Sequence, residues 1–221
     1  SGKRFNTVAP LAAVLQSELP EVEHVVRIGK DAAGYFSREI HTKTVQKGLL
    51  KANNILYADS TFFDVFAFKL QHGDMDNALK KPNSLVLSEK LARKIFADQN
   101  PLGKSLPYTS KFPERKITFT ITGIIQDAPD NSSIQYDAIA SYSTLNLIKP
   151  NGIAPDKNWR DGLGHTYLLL KNNINLETFN EKIQKFLAHV ENQVYGIEPD
   201  SERAKERAYE IVEMGQLHFF D

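Results

Sequence analysis

The sequence predicts an α+β fold with mostly antiparallel sheets. Extended segments that alternate apolar and polar residues recur from one end to the other. Segments with helical spacing are interspersed among them, yet the two never settle into the regular βαβ order of a parallel sheet. With 41% hydrophobic residues in 221 positions, the chain can bury an ordinary core in one large domain or two small ones.

The elements follow in order. Val8, Leu11, Val14, Leu15 and Leu19 recur at near-helical spacing, and Pro20 ends that helix. Val22–Ile28 reads as a strand. Arg38–Gly48 alternates, with Ile40, Thr42, Thr44 and Gln46 on one side, and reads as a second strand; Asn53–Ala58 is a third. Ser60–Phe68, "STFFDVFAF", opens on a serine suited to capping and then clusters Phe62, Phe63, Phe66 and Phe68, which predicts a short helix or turn plugging a core. Gly73-Asp74 marks a turn. Ser84–Leu87 is a strand, and Ser88 caps a helix over Glu89–Phe96 with Leu91 and Ile95 inward and Lys90, Arg93 and Lys94 in water.

Asn100-Pro101-Leu102-Gly103 is a turn, because proline fixes one dihedral and glycine permits a positive one. Lys116–Asp127 is the clearest strand. A loop "APDNSS" follows, then an extended segment Ile134–Tyr142. Lys149–Gly164, rich in proline and glycine, is irregular and reads as a crossover between lobes. His165–Lys171 reads as a buried-type strand, and Asn175 caps a helix Leu176–His189 whose Phe179, Ile183, Phe186 and Leu187 form one face. Ser201–Glu206 is charged and exposed. Arg207–Phe220 closes the chain as a strand, apolar at Ala208, Ile211 and Met214.

Composition excludes several functions. Lys+Arg and Asp+Glu are equal at 27 each, and no dense basic run replaces the missing excess, so nucleic-acid binding is not expected. Zero cysteine removes disulfides, thiolate metal sites and cysteine nucleophiles. No apolar run approaches the roughly 18 residues that cross a bilayer, and no signal peptide is visible. The abrupt ends look like those of a piece cut from a longer protein.

Motifs for catalysis are missing as well. The six histidines, His24, His41, His72, His165, His189 and His218, lie in no ligand spacing. Gly103-Lys104-Ser105 looks like the end of a phosphate loop, but five residues before Gly103 stands Asp98, whose carboxylate would repel phosphate. Asp127 and Asp130 sit in a turn-forming loop. No catalytic residue, cofactor or metal site is expected.

Ordered motifs supply what residue chemistry does not. Asp59–Phe66 reads D-x-x-F-F-x-x-F and Phe68–Asp74 reads F-x-L-x-x-G-D. Pro82–Glu89 reads P-N-S-x-V-L-S-E. Ala92–Lys104 carries A-x-K-x-F-x-x-x-N-P-x-G-K, and Ile121–Ser132 carries x-T-G-I-x-x-D-x-P-x-N-S. In this order they resemble the periplasmic core domain of MacB-type, FtsX-like ABC transporter permeases. Pro20–Arg27 matches the early P-x-V-x-x-x-x-R segment, and Thr166–Leu187 a later strand–helix unit. Near the end Leu217-His218 is kept, without the proline such proteins usually show.

The resemblance implies a discontinuous porter-like lobe from residues 1–58 and 151–221, and an inserted small α/β lobe, Sabre-like, from 59–150. It implies a non-catalytic domain on the periplasmic face of a bacterial inner membrane, between transmembrane helices of a parent permease. The permease would act as a homodimer, driven by a cytoplasmic ABC ATPase, with an adaptor or outer-membrane partner for export or efflux. Gly103 would then serve backbone geometry and Lys104 would be exposed. Phe62, Phe63 and Phe66 at the lobe junction, Asn100, Pro101, Gly103 and Lys104 in the turn, and Asp127 and Asn131 in the loop are the structural or interface candidates. A stand-alone periplasmic hydrolase and a ligand-sensing receptor domain are the rival readings.

Overall fold

Eleven strands among the described residues join in one sheet in the computed structural model, which describes residues 6–30, 34–41, 45–111, 114–149, 152–199, 201–207, 209 and 213. The strands are β1 (Thr7–Val8), β2 (Val22–Lys30), β3 (Gly34–His41), β4 (Val45–Ala52), β5 (Ile55–Ala58) and β6 (Leu70–Gly73). They continue with β7 (Ser84–Ser88), β8 (Ser105–Lys111), β9 (Glu114–Ile125), β10 (Ala138–Ser141) and β11 (Gly162–Leu170). The helices are α1 (Ala9–Glu18), α2 (Phe62–Val65), α3 (Glu89–Phe96), α4 (Ser143–Ile148), α5 (Leu176–Tyr195) and α6 (Glu202–Arg207).

The spatial order is β1-β11-β2-β5-β10-β7-β9-β8-β3-β4, with β6 also on β9. Among the described residues, β5–β10 and β7–β9 are parallel and the other pairings are antiparallel. The α+β, mostly antiparallel expectation therefore holds.

Period-2 alternation sorts side chains onto two faces. Leu56, Ala58, Val86 and Ile139 enter one core with the α2 phenylalanines, while Tyr57, Leu85, Leu87, Ala138 and Ala140 enter another on the opposite face. A third core, among the described residues, draws on the two ends of the chain: Leu11, Leu15, Val22 and Val25 pack against Phe179, Ile183 and Leu187. The apolar face of the amphipathic α5 meets the apolar residues of α1 and β2 there, with Leu168 and Leu170 of β11 packed alongside.

Local signals act where the sequence places them. Leu19 ends α1 just before Pro20, which cannot continue a helix. The Ser88 side chain accepts from the Leu91 N–H, and the Asn175 side chain from the Thr178 N–H at 2.9 Å, so both predicted caps close orphan donors of their helices. Gly196 then stops α5 with φ +64, past the predicted end at His189.

Several expectations change. Arg38–Gly48 is not one strand but parts of two: β3 and β4 form a hairpin pairing Arg38 with Gly48 and His41 with Val45. Alternation runs through both arms of a hairpin alike, and no Gly, Pro or Asn announces this reversal. Thr42 and Thr44, and the side chains of Ile40 and Gln46, lie outside the described residues. Ser60 does not cap α2; Thr61 precedes it and spends its hydroxyl on the Val25 carbonyl at 2.6 Å.

The extended segment Ile134–Tyr142 contributes only Ala138–Ser141 to the sheet, and α4 begins within the stretch that follows. β11 starts at Gly162 and is half-buried, not buried throughout, because β1 covers only its first residues. Ser201–Glu206, read only as charged and exposed, overlaps α6 (Glu202–Arg207). The closing strand Arg207–Phe220 falls almost wholly outside the described residues.

Candidate functional site: a two-faced seam between β2 and β5

β2 and β5 pair over three positions, Ile28 with Ala58, Gly29 with Tyr57 and Lys30 with Leu56. This short ladder joins strands that pack with the chain-end helices to strands of the middle segment. Its two faces carry different chemistry.

On one face, Arg27 and Asp59 extend the ladder by one step. The Arg27 guanidinium grips Asp59 in a fork, Nε to Oδ2 at 2.8 Å and Nη2 to Oδ1 at 2.7 Å, while the Arg27 backbone N–H also donates to Oδ2 at 2.8 Å. Nη1 donates to the Ala9 carbonyl at the start of α1 and to Asp156 Oδ1. The guanidinium carbon lies 4.1 Å from the Tyr142 ring centroid. Planar, forked and weakly hydrated, an arginine suits such a partly buried junction; a lysine would lose the fork and the stacking.

Asp156 sits on a single turn, Pro155–Lys157, and is shared: Asn146 Nδ2 of α4 donates to its Oδ2 at 2.5 Å, and its backbone N–H donates to Asn146 Oδ1 at 3.2 Å. One cation thus ties together β2, the end of β5, α1, the Pro155 turn and the segment after β10.

Burial works against the Arg27 cation, but the hydrogen bonds and charge of Asp59 outweigh it and lift its pKa above the ordinary arginine value. Burial pushes the Tyr142 hydroxyl up; Arg27 opposes that shift, and Asp59 and Asp156 add to it. Both groups move away from neutrality, the reverse of what general acid–base chemistry requires. The dimple beside Thr7, Arg27, Tyr142 and His165 has no room for a water molecule. No group of three or more His, Cys, Asp or Glu that could hold a metal occurs among the described residues.

On the other face lies an aromatic ladder. Phe62, with no exposed surface, meets Phe63 edge-on at 5.3 Å, Phe66 at 5.1 Å and Phe68 in a stack at 5.6 Å. Phe66 then meets Tyr167 of β11 edge-on at 5.2 Å, and Phe68 meets Tyr136 at 5.3 Å. Edge-to-face rings align positive edges with negative faces, so the contact carries orientation as well as area. Burial raises the Tyr167 hydroxyl pKa too.

Of the residues singled out from sequence, Phe62, Phe63 and Phe66 are brought together at this seam. Of the others, the turn at 100–104 and Asp127 attach to α3 and β9 instead, and Asn131 lies in the loop beyond β9. Asn100 Oδ1 accepts from the Leu102 N–H, Gly103 turns the chain at φ +76, and its N–H reaches the Ile121 carbonyl at 2.8 Å. Lys104 is half-buried, not exposed: Nζ donates to Gln99 at 2.8 Å and lies 5.2 Å from the Phe96 ring centroid. Asp127 caps α3 beside Ser88, accepting from the Lys90 N–H at 3.0 Å. Asn131 is exposed in a loop held by Gln135, which donates to the Pro129 and Ser132 carbonyls.

Sequence reading assigned no role to Arg27, Asp59, Tyr142, Asn146 or Asp156. A signal existed for two of them, since Arg27 closes one matched motif and Asp59 opens another.

The comparisons with known proteins come to one point. The model of the MacB-like periplasmic core domain family matches residues 2–186. Among solved structures, a domain assigned to a permease of Porphyromonas gingivalis is 24% identical, with TM-score 0.64 over 86% of this chain and 78% of that one. The periplasmic region of MacB from Actinobacillus actinomycetemcomitans is 19% identical, with TM-score 0.57 over 85% and 75%. The extracellular domain of the ABC-type transporter YknZ from Gram-positive bacteria is 14% identical, with TM-score 0.56 over 89% and 88%. At these identities the structures share the fold. No curated protein matches. No helix among the described residues is long and apolar enough to cross a membrane.

Proposed function

Because the chain belongs to the MacB-like periplasmic core domain family of ABC transporter permeases, we propose that it is a non-catalytic relay on the periplasmic face of a bacterial inner membrane. Transmembrane helices of the parent permease flank it. A cytoplasmic ABC ATPase drives the motion, two copies of the permease work together, and the domain meets cargo or an adaptor or outer-membrane partner for export. The chain divides for this purpose into a porter-like lobe, 1–58 and 151–221, and an inserted lobe, 59–150. The third core, which among the described residues joins the two chain ends, supports that division.

The observation that carries the reading is the fork of Arg27 on Asp59. A relay must pass force between regions without flexing at the joint, and two charge-assisted hydrogen bonds in a fixed plane resist both sliding and twisting. The Arg27, Asp59, Asp156 and Asn146 side chains are committed to one another.

The test uses the full-length permease with its ATPase in proteoliposomes. Asp59→Asn should leave ATP hydrolysis within about twofold of the parent while transport falls at least about tenfold, a loss of about 1.4 kcal/mol of coupling. Retained transport in a folded Asp59→Asn protein, or substrate turnover by the purified chain alone, would overturn the proposal.

A further inference from the structure

The sequence treats the two ends of the sheet differently. β4, at one end, carries Lys47 and Lys51, the kind of charge that keeps a free edge from pairing with other chains. Towards the other end, β11 runs Thr166-Tyr167-Leu168-Leu169-Leu170 with no charge and no proline. Its outer neighbour β1 pairs at Gly162 and Gly164, and among the described residues no strand lies along 166–170 on that side.

The ladder to β2 fixes what this edge presents. The Arg27 N–H donates to Asp59 Oδ2 and the Arg27 carbonyl accepts from the Asp59 N–H, so both backbone groups face β5. Val25, two residues earlier, faces the same way, and its carbonyl accepts from the Thr61 hydroxyl. In an antiparallel ladder the opposite residue then turns its own groups outward. Thr166 stands opposite Arg27 and Leu168 opposite Val25, so each aims an N–H and a carbonyl at the outer edge. Both residues are half-buried, and Leu168 and Leu170 pack on the third core without being fully covered. Backbone groups withdrawn from water on an uncharged strand require a partner.

The two ends of the chain differ in their approach to it. Asn6 lies over Gly162, where an added Cβ would meet the Asn6 backbone oxygen at 2.9 Å, so it sits at the start of β11 and not along 166–170. Tyr209, two positions past α6, is a β-bridge residue and packs on the same third core as Leu168 and Leu170. The β-branched Ile211 and Val212 follow, and no proline occurs from there to Asp221. Five residues of edge span about 17 Å, well within reach of that segment.

We propose that residues 210–221 add as a strand to the outer edge of β11, pairing with Thr166 and Leu168. The end of the chain is then part of the sheet. The inference concerns this chain alone and stands or falls apart from the transport reading.

Hydrogen exchange followed by NMR on the full chain tests it. The Thr166 and Leu168 amides should be protected like that of Tyr167, which faces Val26 of β2. In a chain stopped after Tyr209 both should exchange at least about tenfold faster, while Tyr167 keeps its protection. In the full chain, Ile211→Pro and Val212→Pro remove donors on opposite sides of the segment, and one of the two should reproduce the loss. If truncation frees Tyr167 as well, the proline variants decide. Unprotected Thr166 and Leu168 amides in the full chain overturn the proposal, as does protection that survives both prolines. Protection that rises with protein concentration assigns the edge to a second copy and overturns it too. So does protection lost on removing residues 1–5, which assigns the edge to the other end.

Discussion

The aromatic face and the polar face of the β2–β5 seam hold the same two regions together by opposite means. Phe62 lies wholly out of water and touches three other rings, so its contribution is large, short-ranged and tolerant of small angular change. Arg27 and Asp59 are mostly buried too, but what they add is direction, since a planar fork loses both bonds when either strand turns. Adhesion therefore resides on one face and orientation on the other. A joint built only of rings would slip, and one built only of ions would stabilise little once desolvation is counted.

That contrast can be broken at its strongest point first. Phe62→Ala empties the centre of the aromatic ladder and should cost about 4 kcal/mol in urea unfolding. A loss near that of an exposed residue would mean the ladder is ornamental to the fold. Next, Asp59→Ala leaves a largely buried Arg27 cation with half its partners and should cost about 3 kcal/mol. If Asp59→Ala instead proves neutral, the polar face contributes orientation without stability.

A reference away from the seam sharpens both values. Ser88→Ala removes the α3 cap and should cost about 1 kcal/mol, while leaving the Phe66–Tyr167 contact unchanged by NMR. Asp156→Ala, at a half-exposed carboxylate, should cost only about 0.5 kcal/mol, a figure already reduced for solvent screening.

The smallest effect lies at the chain ends, where Lys182 of α5 donates to Glu21 at 2.6 Å beside β2. That hydrogen bond holds the Glu21 carboxyl below its ordinary range, with its own backbone N–H assisting. Its contribution is therefore present above the unfolded pKa and fades as pH falls through the lower folded value. Lys182→Ala should move the Glu21 titration, followed by NMR, back upward; an unmoved titration would show the pair to be incidental.

Much of this was legible beforehand. Ser88 and Asn175 announced their helices because a cap is a contact between residues three apart, and Pro20 and Gly103 punctuated the chain through their own dihedrals. Clustered phenylalanines foretold a core plug. The β3–β4 hairpin was not legible, because its arms alternate without interruption and carry no turn residue that demands a reversal. Nor was Asp156, an ordinary turn former in an irregular stretch, until the fold set it against Arg27, 129 positions away in sequence.

By itself, then, the sequence determined much of the local menu: which segments carry strand or helix periodicity, several of the caps and turns that bound them, and through ordered motifs the family. Tertiary structure alone decided that β5 lies between β2 and β10, that Arg27 finds Asp59 and Asp156, and that the two faces of one short ladder divide adhesion from direction. The reason is physical. Periodicity records only which way a side chain points, whereas a pairing partner is chosen by the shared burial of segments far apart along the chain.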